Sequence, residues 1–254
     1  MSRHIGITLI CTLVLGATIA TAHTEPIQIE NRLIHARDPL PENPCFRPYA
    51  EPRQIDVVVL HYTSAINWFD PEFQSLLPQE TKDRVKARGV TPETIQEHRF
   101  DVDLNIQLFR TYGVAPHYII GRSGEVIQLV EDNDMAYHAG VSTMPGGDGR
   151  TGANYFSIGI ELTSAHPDDD ERIRTGLDAA YTEDQYRALS ALMEVLVARH
   201  PITKIVGHDE IAPDRKKDPG PLFDWPRVRE AGGWRPLVSA EKSERDQAGV
   251  TAPR

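Results

Sequence analysis

Cysteine is almost absent from this chain: two residues, Cys11 and Cys45, in 254. Two thiols cannot build a disulfide scaffold or a four-cysteine zinc site, so any metal must be held by histidine and carboxylate. Positive charge is also short, with 27 Lys and Arg against 37 Asp and Glu and a formal charge of -10. That sign is wrong for gripping a nucleic-acid backbone or an anionic membrane face. Internal repeats are missing too. What is present is an ordinary globular composition, 40% hydrophobic and 25% charged, which excludes disorder and fits one compact domain with at most a small appendage. The ten histidines are then the residues to follow.

The opening segment MSRHIGITLICTLVLGATIATAHT has a basic residue at Arg3, an apolar run from Ile5 to Ala20, and Ala20 and Ala22 in the A-x-A spacing that signal peptidases read. Residues 1–22 are therefore expected to be a secretory signal cleaved after Ala22. As a membrane anchor the run is short, is interrupted by Thr8, Thr12 and Thr18, and lacks basic residues just after it. Cys11 follows Ile10 inside the apolar run, which does not suit lipid attachment. Cleavage leaves Cys45 alone, a packing residue rather than a nucleophile.

Residues 23–54 carry Pro26, Pro39, Pro41, Pro44, Pro48 and Pro52 with few periodic apolar positions, so this arm is expected to wrap or link without joining the core. The main domain, 55–236, starts with Ile55–Leu60, three valines in a largely apolar run, the pattern of a strand buried on both faces with His61 at its end. Thr91-Pro92-Glu93 predicts a helix start, running to about Tyr112 and stopped by Gly113. Segments 117–120 and 126–130 read as a hairpin through Arg122–Glu125. Strand 156–162 places Ile158, Ile160 and Leu162 on one face and Ser157, Gly159 and Glu161 on the other. A helix over 183–199 has Thr182 and Gln185 in capping-box spacing and an apolar stripe of Tyr186, Leu189, Leu192, Met193, Leu196 and Val197. Lys204–Val206 is a short strand leading to His208, and 237–254 is a polar tail. Interleaved strands and helices imply an α/β fold, a single domain with a central mixed β-sheet flanked by helices.

The stretch VGHDEIAPDRKKDPGPLFDW, 206–225, places Asp218 ten residues after His208 with Lys216 between them. Pro213, Pro219, Pro221 and Gly220 make it a stiff loop and not a helix, able to return Asp218 to face His208. With His61 from another strand, two imidazoles and a carboxylate form a set that zinc accepts with a fourth position open to water. Singly these residues mean little: a histidine after a strand is usually a hydrogen-bonded structural residue, and Asp-Pro-Gly is a common turn.

Together, VVVLHYT, PHYIIGRSGEVIQLV, AYHAG, NYFSIGIEL and GHDEIAPDRKKDPGPLFDW resemble the successive motifs of the zinc-dependent N-acetylmuramoyl-L-alanine amidases, a family that also holds peptidoglycan recognition proteins and phage lysozyme-type amidases. The resemblance spans about residues 55 to 226. It implies that His61, His208 and Asp218 bind one zinc ion, that Glu161 is the catalytic carboxylate, and that Lys216 stabilises the transition state. It places Tyr62 and Asn154 along the substrate groove and His117 and His138 near it, where they support the metal ligands or touch substrate, structural hydrogen bonding being the alternative; peptidoglycan or its muropeptides are the partner and cleavage between the muramyl lactyl group and L-alanine is the reaction. A non-catalytic peptidoglycan-binding module is the alternative; such relatives typically lack a metal ligand, whereas both His and the Asp are present here. Position 137 is Tyr where many relatives carry Trp, and 65–115 is longer than in compact members.

Export to the periplasm, or to the medium where no outer membrane exists, is the expectation from the opening segment. N-terminal sequencing of protein from its native host should find a chain beginning at about His23 outside the cytoplasm; a cytosolic pool retaining Met1 would overturn this.

Overall fold

The computed structural model describes residues 27–34 and 44–231; the expected signal segment and the tail from 237 lie outside the described residues. The strands are β1 (Ile29–Asn31), β2 (Phe46–Arg47), β3 (Val57–Thr63), β4 (Tyr118–Ile120), β5 (Val126–Gln128), β6 (Met135–Ala136), β7 (Ser157–Thr163) and β8 (Lys204–Gly207). The helices are α1 (Pro71–Leu76), α2 (Gln79–Ala87), α3 (Ile95–His98), α4 (Val102–Tyr112), α5 (Glu171–Arg174), α6 (Glu183–Arg199), α7 (His208–Ile211) and α8 (Trp225–Ala231).

β3 is an interior strand, one in from the edge strand β8. Its β-branched valines suit a pleated backbone, and it pairs in parallel with β7 on one side and β8 on the other. The sheet order is β1-β5-β4-β7-β3-β8, with β4 parallel to β7 and β5 antiparallel to β4, the mixed sheet expected from the interleaving. Val58 and Leu60 point to one face, where they meet Ile158, Ile160 and Leu162 of β7 and the stripe Tyr186, Leu189, Leu192, Met193 and Leu196 of α6. Val57 and Val59 point to the other, against Ala139, Met144, Val206 and Ile211. The α6 capping box forms as expected: Gln185 N–H donates to Thr182 Oγ1 at 3.1 Å, and Thr182 N–H to Gln185 Oε1 at 3.0 Å. Val197 leaves the stripe, 41% exposed, because it lies one residue and about 100° round the helix from Leu196.

Three other expectations are corrected. The N-terminal arm does join the core: β1 pairs in parallel with β5 at the sheet edge, and Ile34 and Cys45 are buried with Phe109, Ile119 and Leu129. The apolar alternation at Ile27 and Ile29 outweighs the neighbouring prolines. The helix predicted from Thr91 is two helices. The Arg99 carbonyl turns out to accept Ala65 N–H at 2.7 Å, and Asp101 restarts the chain as the cap of α4, accepting from Leu104 N–H at 3.0 Å. Gly113 ends α4 in the left-handed region, φ 66°, as expected. The loop after β8 begins with one helical turn, α7, because Glu210 accepts from the Gly207 N–H at 2.7 Å. The long 65–115 segment folds into its own small cluster around Trp68, Phe73, Val85, Ile95 and Leu104.

That segment is tied to the rest by ion pairs. Arg99, 5% exposed, donates to Asp170 at 2.5 Å and also to Asp178, while Asp170 caps α5 through Arg172 and Ile173 N–H. Hydrogen bonds from Arg172 and Arg99 hold the Asp178 carboxyl down at about 2, against an ordinary 3.8. A folded-state value below the unfolded one means the stabilisation is complete above about pH 4 and is lost as pH falls toward 2. Asp178→Asn should therefore cost about 1 kcal/mol in urea unfolding at pH 7, after screening by the water that reaches the pair, and nothing near pH 2. An equal cost at both would remove this account. Cys45 is fully buried, and burial pushes its thiol up to about 11. The native protein should resist iodoacetamide at pH 8 and react only on unfolding; rapid native labelling would show the packing to be otherwise.

Candidate active site

Parallel strands that end together bring their next residues together. β3 and β7 run in register, with His61 opposite Glu161, and residues opposite each other point to the same face. β8 pairs Gly207 with Leu60, so His208 emerges beside His61. The chain then returns: Asp209 N–H donates to the Asp218 carbonyl at 2.8 Å, and Tyr181 Oη donates to the Pro219 carbonyl at 2.6 Å across a cis Asp218–Pro219 peptide. Asp218 is thereby set against both imidazoles.

His61 Nδ1 and His208 Nδ1 stand 2.9 Å apart, and Asp218 Oδ2 lies 2.9 Å from the first and 3.0 Å from the second. The three are 1%, 2% and 8% exposed. Burial pushes the His61 ring down to about 4, so it carries one proton. On His208, Nε2 lies 3.0 Å from the Ala139 carbonyl, which can only accept, so Nε2 bears a hydrogen and Nδ1 is the nitrogen this ring would offer a metal ion. Converging nitrogen and carboxylate acceptors are what a small divalent cation shares, and two nitrogens with one oxygen suit zinc. Among the described residues this is the group of His, Cys, Asp and Glu side chains gathered closely enough to hold a metal ion. The donor set fits the ion that the motifs imply.

These groups floor a cleft of about 610 Å³. Leu108, Tyr112 and Val114 form one wall, and Arg215, Lys216 and Lys217 another. Glu161 lines it as well, and its Oε2 is shut off from water with no hydrogen-bond partner. Burial and the Asp218 charge push its carboxyl well above the ordinary range, with Lys216 opposing them. The basic run divides its tasks. Arg215 donates to the Ala139 and Val141 carbonyls at 2.9 and 2.8 Å, Lys217 faces Asp168 at 3.7 Å, and Lys216 makes no ion pair among the described residues. Tyr62 lines the cleft as a protonated phenol, pushed up by burial and Asp218.

The other residues expected along the groove separate. His117 is fully buried and outside the cleft lining: its Nδ1 accepts Gly159 N–H at 2.9 Å and its Nε2 donates to the Asp134 carbonyl at 3.0 Å. Burial and Arg53 push it down to about 3, a neutral ring bracing β7. His138 lines the cleft, its ring 5.1 Å from that of His61. It lies over Gly159, where an added Cβ would fall 2.4 Å from His138 Cγ, so only glycine admits the ring. Asn154 borders the cleft, but its Oδ1 faces inward and accepts His138 and Ala139 N–H at 3.2 and 2.7 Å.

Two contributors were not foreseen from sequence. Arg53, in the proline-rich arm, donates to the Asp132, Asn133 and Asn154 carbonyls, each at 2.8 Å. Ser157 lies under His138 at 3.1 Å. Arg53 carries no motif signal; the polar alternation of β7 singles out the Ser157 face without showing what it meets.

The family described as N-acetylmuramoyl-L-alanine amidase matches residues 51–221. The chain is 45% identical over 119 residues to 1,6-anhydro-N-acetylmuramyl-L-alanine amidase AmpD of Salmonella typhimurium, covering 46% of this chain and 56% of that protein; it thus spans little more than half the length of that relative. It is 33% identical over 191 residues to AmpD of Haemophilus influenzae, covering 73% of this chain and 87% of that one. The crystal structure of a selenomethionine AmpD derivative superposes with a TM-score of 0.50 at 29% identity, covering 80% of this chain and 93% of the other. The matched span contains both histidines, the aspartate and Glu161 and extends over most of the sheet, and the chain belongs to the N-acetylmuramoyl-L-alanine amidase family.

Proposed function

We propose that this protein is a zinc-dependent hydrolase that cuts the amide between N-acetylmuramic acid and L-alanine in peptidoglycan or its muropeptide fragments. The observation that carries the reading is the meeting, at one end of three adjacent parallel strands, of a buried His61–His208–Asp218 cluster with the unpartnered Oε2 of Glu161. The names of the AmpD relatives, 1,6-anhydro-N-acetylmuramyl-L-alanine amidases, support muropeptide fragments as substrates.

His61, His208 and Asp218 would hold a single zinc ion, which when bound polarises the lactyl carbonyl and makes a water molecule more acidic. Glu161 takes a proton from the attacking water as its oxygen bonds to the carbonyl carbon. The raised affinity of the buried carboxyl for protons suits it to hold that proton and then pass it to the L-alanine nitrogen. The carbon–nitrogen bond breaks, leaving a muramyl carboxylate and a free amine. Lys216 faces the negative charge that grows on the carbonyl oxygen. The apolar wall from α4 can pack the sugar or peptide while the polar wall faces its carboxylates.

Export belongs to the same proposal. Arg3, the apolar run to Ala20 and the Ala20-x-Ala22 spacing support delivery to the periplasm, where murein lies. Among the described residues no helix is long and apolar enough to cross a membrane.

Removing a ligand and removing the base predict different metal contents. His61→Ala, His208→Ala and Asp218→Ala should each lose zinc and turnover together. Glu161→Gln should keep near-stoichiometric zinc while turnover on muropeptide falls about 10²-fold or more, and Lys216→Ala should behave alike. Metal analysis of dialysed variants beside release of L-alanine-bearing peptide checks this. Loss of zinc in Glu161→Gln would make that residue a ligand, and wild-type turnover would make it structural; either removes the mechanism.

A further inference from the structure

A bare Nδ1 on both histidines is required for them to share an ion, and the position of each proton is set elsewhere. For His208 the Ala139 carbonyl fixes it, as above. For His61 a chain of contacts runs inward. Its Nε2 lies 3.0 Å from His138 Nδ1, and His138 Nε2 lies 3.1 Å from Ser157 Oγ. Ser157 Oγ is in turn 2.6 Å from the Ala153 carbonyl. Two oxygens that close must have a hydrogen between them, and only the serine can supply it. Ser157 therefore offers His138 a lone pair, and His138 Nε2 carries the proton. In the neutral ring Nδ1 is then an acceptor, so His61 Nε2 is the donor and His61 Nδ1 is bare.

Both proton positions thus depend on two consecutive residues, His138 through its ring and Ala139 through its carbonyl. One side chain holds that pair: Asn154 Oδ1 accepts both backbone N–H groups, at 3.2 and 2.7 Å. Asn154 is itself held through its carbonyl by Arg53 Nη1 at 2.8 Å. We propose that Asn154 and Ser157 are positioning residues that, through His138 and Ala139, set the imidazole tautomers of His61 and His208 and so make the cluster competent for metal. This assigns Asn154 to the metal cluster and not to the substrate, and it rests on the zinc reading above.

The test reads zinc affinity by competition with a chromophoric chelator, and ring protonation by nitrogen-15 spectra of the imidazoles in zinc-loaded protein. Ser157→Ala and Asn154→Ala should each bind zinc about ten- to a hundredfold more weakly, and Asn154→Asp, which keeps the acceptor oxygen, should stay within about threefold of wild type. In the wild-type spectra His138 should carry its proton on Nε2, with Nδ1 bare. Folded variants, judged by circular dichroism, that bind zinc with wild-type affinity would overturn the assignment, as would a proton on His138 Nδ1. If a variant does not fold, the wild-type spectra decide. A merely structural role would lower thermal stability and leave both readouts unmoved. Wild-type protein that binds no zinc would overturn the functional reading along with this one, whereas unchanged variant affinity beside normal amidase activity would overturn this one alone.

Discussion

The parallel register of β3 against β7 and β8 is the constraint on which the rest depends. Side chains alternate along a strand, so a slip by one residue would turn His61 toward α6 and bring Leu60 to the cleft. Val57, Val58 and Val59, all fully buried, oppose that slip from both faces. A β3 with one solvent-facing side would be held in register by half as many contacts. The chemistry at the strand end is therefore secured by apolar packing well away from it.

A second layer of control is polar. The cleft gathers the imidazoles of His61, His138 and His208 with the carboxylates of Asp218 and Glu161, over a buried His117, and several of these groups are held by backbone from elsewhere in the chain: His117 by Gly159 and Asp134, His208 by Ala139, Asp218 by Asp209. Buried polar groups without partners are costly, so the unpartnered Oε2 of Glu161 stands out within the cleft. It lies where the proposed reaction takes up a proton.

What could be read in the sequence was what is written locally. The valine run, the alternation of β7 and the Thr182–Gln185 box each specify their structure within a few residues, and the ordered motifs carried His61, Glu161, His208, Lys216 and Asp218 to one place. The helix break at Arg99 was not legible, because it depends on Ala65, Asp170 and Asp178. Asn154 stands among motif residues in sequence, but its partners His138 and Ala139 lie about fifteen positions away and are met only through the fold. Arg53 was hidden among prolines for the same reason.

The placement of β1 has a consequence for solubility. A sheet edge exposes a row of unsatisfied N–H and C=O groups that can template pairing with another chain, and without β1 that edge would be β5, whose Val126, Ile127 and Gln128 are all buried. The N-terminal arm covers this apolar strand with one whose Glu30 and Asn31 are exposed and whose neighbour Arg32 pairs with Glu30 and Asp103. The outermost strand is thus short and charged. The arm acts as a guard against edge-to-edge aggregation, and trimming it to leave only the residues that carry the chemistry would expose an adhesive strand.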